Sequence, residues 1–295
     1  LILMLVQRNF FLPLLFSFVT LIACSNKPSE AEKLEAKEER LIHAGEDSLT
    51  QPRVLEKDME VDSIRKKSAF QHSQFNNTLN FEDTLKSMYK ELMENNPEVK
   101  MDYDPFRYAM IGYYTLRQEE RLNDKEILSI IDFTKSSCDK RFYTINLKEL
   151  DFLYYSLVSH GRNTGGDMAT KFSNERSSNA SSLGFYVTGG TYTGKNGYSM
   201  RLVGDEKGWN DNMMKRAVVM HEASYVSEDF VKKYGRLGRS YGCPALPKGL
   251  SRKVIDTIKG KTVIFAYYND DTYLKASRYL DLDQLVSKMN DDSDT

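Results

Sequence analysis

Gly235-Arg236-Leu237-Gly238-Arg239-Ser240-Tyr241-Gly242-Cys243-Pro244-Ala245-Leu246-Pro247 is the stretch that carries the most chemistry in this chain. A cysteine set between a glycine and a proline, with two arginines before it, is placed for reaction rather than for packing. Gly242 permits a backbone angle or a close substrate approach that a Cβ would forbid. Arg236 and Arg239 favour thiolate over thiol at Cys243 and suit a substrate carboxylate. A cysteine nucleophile needs a base within hydrogen-bond reach. The chain has four histidines, and His43 and His72 fall in a polar N-terminal stretch. His160 and His221 remain. The apolar runs at 157–159 and 217–220 place each of them at a predicted strand end, facing a cleft, or else as a structural histidine bonding the backbone. On residue types alone His160, His221 and Cys243 also suit zinc. His221-Glu222 lacks the second histidine of a zinc-protease helix, because Tyr225 stands there. No metal and no cofactor are expected.

Outward from this stretch, strand-like runs rich in β-branched and aromatic residues occupy 127–133, 141–147 and 153–159. Shorter ones follow at 184–188, 198–202, 217–220 and 262–268. A helix is predicted over 250–258. Upstream, Phe81, Leu85, Met88, Tyr89 and Leu92 recur at helical spacing until Asn95-Asn96-Pro97. A second helix is expected over 105–121. Residues 161–182 read as a Gly/Ser/Asn loop too polar for a core. Gly189 to Asn196 nearly spells a phosphate loop, but Asn196 stands where Ser or Thr must hold magnesium, so it reads as a hairpin turn. Cys138 sits in an expected turn and reads as incidental. The pattern is α+β: a β-rich core with two N-terminal helices packed on it.

The chain has 295 residues, 40% of them hydrophobic, enough for a core. Its 41 Lys+Arg against 42 Asp+Glu give a net charge of −1, which argues against a nucleic-acid partner. Arg8 and the apolar run at 10–23 read as a signal peptide, with Met4 as the start. The run ends in Leu21-Ile22-Ala23-Cys24, which looks like a lipobox, so Cys24 is the expected lipidation site and membrane anchor. The expected organisation is a signal peptide at 1–23, a flexible tether at 24–75, an N-terminal helical part at 76–122, a catalytic core at 123–281 and a C-terminal tail at 282–295.

Six separated blocks carry a resemblance: residues 128–133, Ser159-His160-Gly161-Arg162, Phe172-Ser173-Asn174, residues 181–186, Val219-Met220-His221 and residues 238–245. In this order they resemble the L,D-transpeptidase catalytic-domain family, more narrowly its divergent murein L,D-transpeptidase branch, from about residue 80 to 281. The resemblance implies a sandwich or barrel core, and with the lipobox-like end at Cys24 the expected location is exported, lipid-anchored in the cell envelope and facing the periplasm. Its partners would be peptidoglycan stem peptides. Cys243 would attack a tetrapeptide stem, expel D-Ala and hold the product as a thioester. His221 would be the base. Backbone amides near Tyr241, Gly242 and Cys243 would hold the oxyanion, and Ser240 would orient the loop. Arg239, Arg236, His160 and Gly184 would meet substrate; Tyr186, Tyr192 and Tyr198 either flank the groove or, as read here, pack in the core. The family motif runs Ser/Thr-His-Gly-Cys, an apolar residue, then Arg or Asn. Tyr241 replaces its histidine, Ala245 stands where Arg or Asn is expected, and His221 lies farther upstream than usual, with an inserted helix expected within 225–234. Two alternatives stay open: water as acceptor, giving an L,D-carboxypeptidase or endopeptidase, and a non-catalytic peptidoglycan-binding lipoprotein.

Overall fold

Two amphipathic helices open the described part of the molecule; the computed structural model describes residues 78–291. The proposed signal peptide, the tether and Cys24 lie outside it. Helix α1 (Thr78–Asn95) buries Phe81, Leu85, Met88 and Leu92, one apolar stripe at helical period. Helix α2 (Tyr103–Gln118) buries Phe106, Ala109, Met110 and Tyr113. Arg107 of α2 forms an ion pair with Glu82 of α1. At Gly112 a Cβ would overlap the Phe185 ring, so glycine lets α2 lie directly on the sheet.

Eight strands follow: β1 (Ile127–Asp132), β2 (Phe142–Asn146), β3 (Asp151–Ser156), β4 (Gly184–Gly194), β5 (Gly197–Val203), β6 (Val219–Ala223), β7 (Ala245–Pro247) and β8 (Val263–Tyr267). They form one mixed sheet in the order β3-β2-β1-β8-β4-β5-β6-β7. The β1–β8 and β6–β7 pairs are parallel and the others antiparallel. All five residues of β8 are buried, the continuous apolar run of a strand covered on both faces. The sheet curls until its edges approach. Ser159 N, just past β3, donates to Ala245 O in β7 at 3.0 Å, and Gly161 bridges Ser240. The result is a nearly closed barrel.

The remaining helices are α3 (Glu228–Tyr234), α4 (Ser251–Ile258), α5 (Asp271–Ala276) and α6 (Leu282–Asp291). Helix α3 falls within the expected insertion. Ser227 Oγ caps it by accepting from Phe230 N, and Gly235 ends it at φ 69°.

Four expectations need correction. The segment 282–291, read as a tail, is α6, and its Leu285 and Val286 join the main core. The 189–196 segment is no turn but the outer half of β4. A register shift between Thr188 and Thr191 absorbs the extra residues, and only Lys195 and Asn196 form the turn. The strand read at 217–220 is displaced to Val219–Ala223, because Ala217 takes a left-handed φ of 52° that breaks the ladder. His221 therefore lies inside a strand rather than at its end. The 161–182 loop buries Thr164, Ala169, Ala180, Ser181 and Ser182 instead of riding in solvent.

Candidate active site

The segment between α3 and β7 is pinned by backbone bonds. Leu237 N donates to Ser137 Oγ at 3.1 Å and Gly238 N to Tyr225 O at 3.0 Å. Ser240 N donates to His160 O at 3.0 Å, and Arg162 N donates to Ser240 O at 2.7 Å. Ser240 Oγ then donates to Cys243 O at 2.6 Å while accepting from Gly242 N at 3.0 Å. That hydroxyl closes a tight turn immediately before the thiol. Gly242 sits at φ 119°, and a Cβ there would come within 2.7 Å of Ala180 O, so any other residue would strain the turn.

Cys243 is partly exposed. Its Sγ accepts from Val219 N at 3.5 Å and faces Ala217 O at 3.9 Å. The sulfur thus rests on the start of β6, two residues before His221. In the parallel β6–β7 ladder His221 is registered with Ala245, two residues beyond the cysteine. His221 is 1% exposed. Its Nδ1–H donates to Glu222 O at 2.8 Å, which fixes the tautomer and leaves the lone pair on Nε2. Nε2 is buried and has no hydrogen-bond partner. Burial pushes the pKa of the ring down to about 4, so the imidazole is neutral at physiological pH. The neutral ring is oriented by a carbonyl and holds one unused acceptor nitrogen.

His160 has a different situation from the one expected of a substrate-binding residue. It is 1% exposed. Nδ1 accepts from Arg141 Nη2 at 2.8 Å, and Nε2–H donates to Gly166 O at 3.1 Å. Both ring nitrogens are used within the protein, which also removes His160 from a zinc triad. Burial and the Arg141 charge push its pKa down to about 3. Among the described residues no group of three or more His, Cys, Asp and Glu is arranged to hold a metal ion.

Gly184 does not line a groove. At φ 108° it closes over a buried polar cluster, where a Cβ would overlap the Glu206 carboxylate. Glu206 accepts from Phe185 N, Asn210 Nδ2, Tyr273 OH and Ser277 Oγ, so the cluster is structural. Gly242 N–H, one of three amides expected at the oxyanion, is taken by Ser240 Oγ. Arg236 Nη1 donates to Leu237 O at 2.8 Å and Arg239 Nη1 to Gly165 O at 3.1 Å. Arg162 lies over the Tyr241 ring at 5.5 Å. Tyr186 is buried with its OH donating to Ser182 O, while Tyr192 and Tyr198 carry Arg201 and Arg252 over their rings. Cys138, read as incidental, joins a support under the loop: its Sγ faces Asp167 Oδ1 and Gly235 O, each at 3.4 Å.

Arg216 is the residue that sequence reasoning missed. Its polar stretch before β6 has no periodicity to single it out. Nη1 donates to Ser173 O at 2.8 Å and Ser182 Oγ at 2.6 Å. Nη2 donates to Ser178 Oγ at 3.2 Å and Ala180 O at 2.5 Å. Where β6 and β7 end against β3, a cavity of about 500 Å³ opens on the barrel seam, bounded by Tyr155, Leu157, Ala223, Ser227 and Pro247.

A family model described as L,D-transpeptidase catalytic domain matches residues 97–267, more than half of the chain. No curated protein matches it in sequence. Among solved structures, an L,D-transpeptidase from Mycobacterium smegmatis is similar at 13% identity, covering 48% of this chain and 59% of that one, with a TM-score of 0.31. A structure of the LD transpeptidase LdtMt1 in complex with imipenem gives 13% identity, 48% and 59% coverage, and a TM-score of 0.30. An L,D-transpeptidase from Stackebrandtia nassauensis gives 12% identity, 64% and 93% coverage, and 0.31. The match thus spans about three fifths of the length of the first two chains.

Proposed function

Because the chain belongs to the L,D-transpeptidase catalytic-domain family, we propose that it is a peptidoglycan L,D-transpeptidase working through a cysteine thioester on tetrapeptide stems. The observation that carries this is the unused, buried Nε2 of neutral His221, held on the strand whose first residue donates its N–H to Cys243 Sγ. Cys243 attacks the carbonyl of the L-centre of the donor's third residue, and its S–H proton passes to His221 Nε2. An S–C bond forms, the C–N bond to the terminal D-Ala breaks, and His221 returns the proton to the leaving amine. An acceptor amine then attacks the thioester, the C–S bond breaks, and the acceptor's proton restores the thiol through His221. The Val219 N–H stabilises negative charge on sulfur. The oxyanion role falls to the Tyr241 and Cys243 amides, since Gly242 N–H serves Ser240. An apolar run at 10–23 ending at Cys24 supports an exported chain that is lipid-anchored and faces the periplasm.

The test uses the purified full chain with disaccharide tetrapeptides, products weighed by mass spectrometry, and Cys243→Ala as control. The expected product is a cross-linked dimer lacking one D-Ala, absent with the variant. Tripeptide alone would make water the acceptor and overturn the transpeptidase reading. No Cys243-dependent product would overturn the thioester.

A further inference from the structure

The guanidinium of Arg216 is the group beside the thiol whose purpose is least explained by packing. It is partly buried, and burial lowers its pKa, so its charge is poorly solvated. Its four hydrogen-bond acceptors are all neutral: two backbone carbonyls and two serine hydroxyls. Among the described residues no carboxylate forms an ion pair with it. A partly desolvated cation whose acceptors are all neutral keeps a charge that an anion forming nearby would stabilise further. The titratable groups acting on Arg216 are Tyr186 of β4, Cys243 and Glu175. Glu175 is exposed and screened. Tyr186 is fully buried, and its pKa is raised far beyond the physiological range. Cys243 is the one member of the three that gains a negative charge in close quarters during turnover. Charge coupling is mutual, so a thiolate that favours the guanidinium is itself favoured by it.

The same side chain also lies against the turn that carries that thiol. Its four acceptors, Ser173, Ser178, Ala180 and Ser182, are spread along one loop, and Nη2 would lie only 3.1 Å from a Cβ placed at Gly242. Ala180 O, which Arg216 holds, is the atom that walls off Gly242 on the same side.

We propose that Arg216 is a positioning residue for Cys243: it clamps the 173–182 loop over Gly242 and supplies the positive charge that favours the thiolate. This rests on Cys243 being the nucleophile.

The experiment follows alkylation of Cys243 by iodoacetamide against pH, in the full chain, with Cys138 and Cys24 adducts separated by peptide mass spectrometry. This readout needs no turnover. Failure of the Arg216 assignment is therefore distinct from failure of the transpeptidase reading, which the product assay decides. The wild-type midpoint should lie below the value of about 8.5 for an unperturbed thiol. In Arg216→Gln, which keeps amide donors but no charge, it should rise by about one pH unit, giving roughly tenfold slower labelling at neutral pH. Arg216→Lys should restore most of the shift. An unchanged midpoint in folded Arg216→Gln would overturn the proposal. If that variant does not fold, a wild-type midpoint at or above about 8.5 would overturn it equally, as would a midpoint raised by about one pH unit in Arg216→Lys.

Discussion

Acid sensitivity of this fold should trace to His160, and the size of the effect follows from its two hydrogen bonds. Arg141 is fully buried and donates to His160 Nδ1 at 2.8 Å, so that nitrogen has to be the lone-pair one. The other nitrogen donates to Gly166 O at 3.1 Å. Protonating the ring would bring an N–H and a positive charge against a guanidinium with no water to screen them. Burial first, and the Arg141 charge second, hold the folded pKa at about 3. In the unfolded chain it returns to about 6.5. Between these values the unfolded state binds more protons, so stability falls as pH falls from about 6.5 towards about 3. At pH 4.5 the loss relative to pH 7.5 is roughly 2–3 kcal/mol from this residue alone. His221, held near 4, adds a loss of the same sign over an overlapping window. Buried Glu206 and Asp132 act oppositely, because their raised pKa values favour the folded state on acidification. A variant comparison cancels these contributions. His160→Gln keeps an oxygen acceptor for Arg141 and an amide donor for Gly166 O but cannot titrate. Urea unfolding of the full chain at pH 7.5 and 4.5 should show the variant losing roughly 2–3 kcal/mol less than wild type on acidification. Equal losses in the two proteins would refute the buried neutral pair.

Neutral His221 makes a separate kinetic prediction: acylation of Cys243 by a tetrapeptide donor should stay within about twofold between pH 7 and pH 5.5, because a ring with a pKa of about 4 holds roughly tenfold more neutral imidazole at pH 5.5 than one at 6.5. A tenfold fall over that interval, read by stopped-time mass spectrometry, would show that the ring titrates as an exposed histidine. Gly242→Ala should leave the protein folded but cut acylation by about 100-fold, since relieving the approach of its Cβ to Ala180 O displaces the thiol by a fraction of an ångström or more; wild-type kcat/KM in that variant would contradict the steric reading.

The sequence disclosed those parts of the fold whose signal is local. The runs at 127–133 and 262–268 became β1 and β8 because β-branched and aromatic residues buried on both faces leave few alternatives. Helix α1 followed from one stripe of five apolar positions. The displaced start of β6 was not legible, because the apolar run 217–220 carries no mark that Ala217 would turn left-handed and return its carbonyl to the thiol. The segment from Gly189 to Asn196 read as a hairpin turn, but glycine serves both turns and bulges, and only pairing with β5 separates the two. Leu282, Leu285, Val286 and Met289 do recur at helical spacing; the acidic residues beside them masked an element that docks on the core. Arg216 was invisible for a deeper reason. Every one of its partners lies more than thirty positions earlier in the chain, and no pattern in its own neighbourhood encodes them.

The departures from the family motif gain a physical account from the way the nucleophile is held. Tyr241 and Ala245 replace side chains that would act within the cysteine's own segment. Here that segment is fixed by main-chain bonds to His160 and Arg162, by one serine hydroxyl that bonds both sides of Gly242, and by parallel pairing of Ala245 with His221. None of these depends on the side chain at 241 or 245. His160, whose carbonyl supports the same segment, has its ring in turn fixed by Arg141, whose other donors go to Val158 O and Lys135 O. A buried arginine on β2's approach therefore orders the strand edge, the edge orders the turn, and the turn sets the thiol on β6. In such an arrangement a change at 241 should alter what the cleft accepts, while a change at 141 or 160 should alter whether the thiol is in place at all.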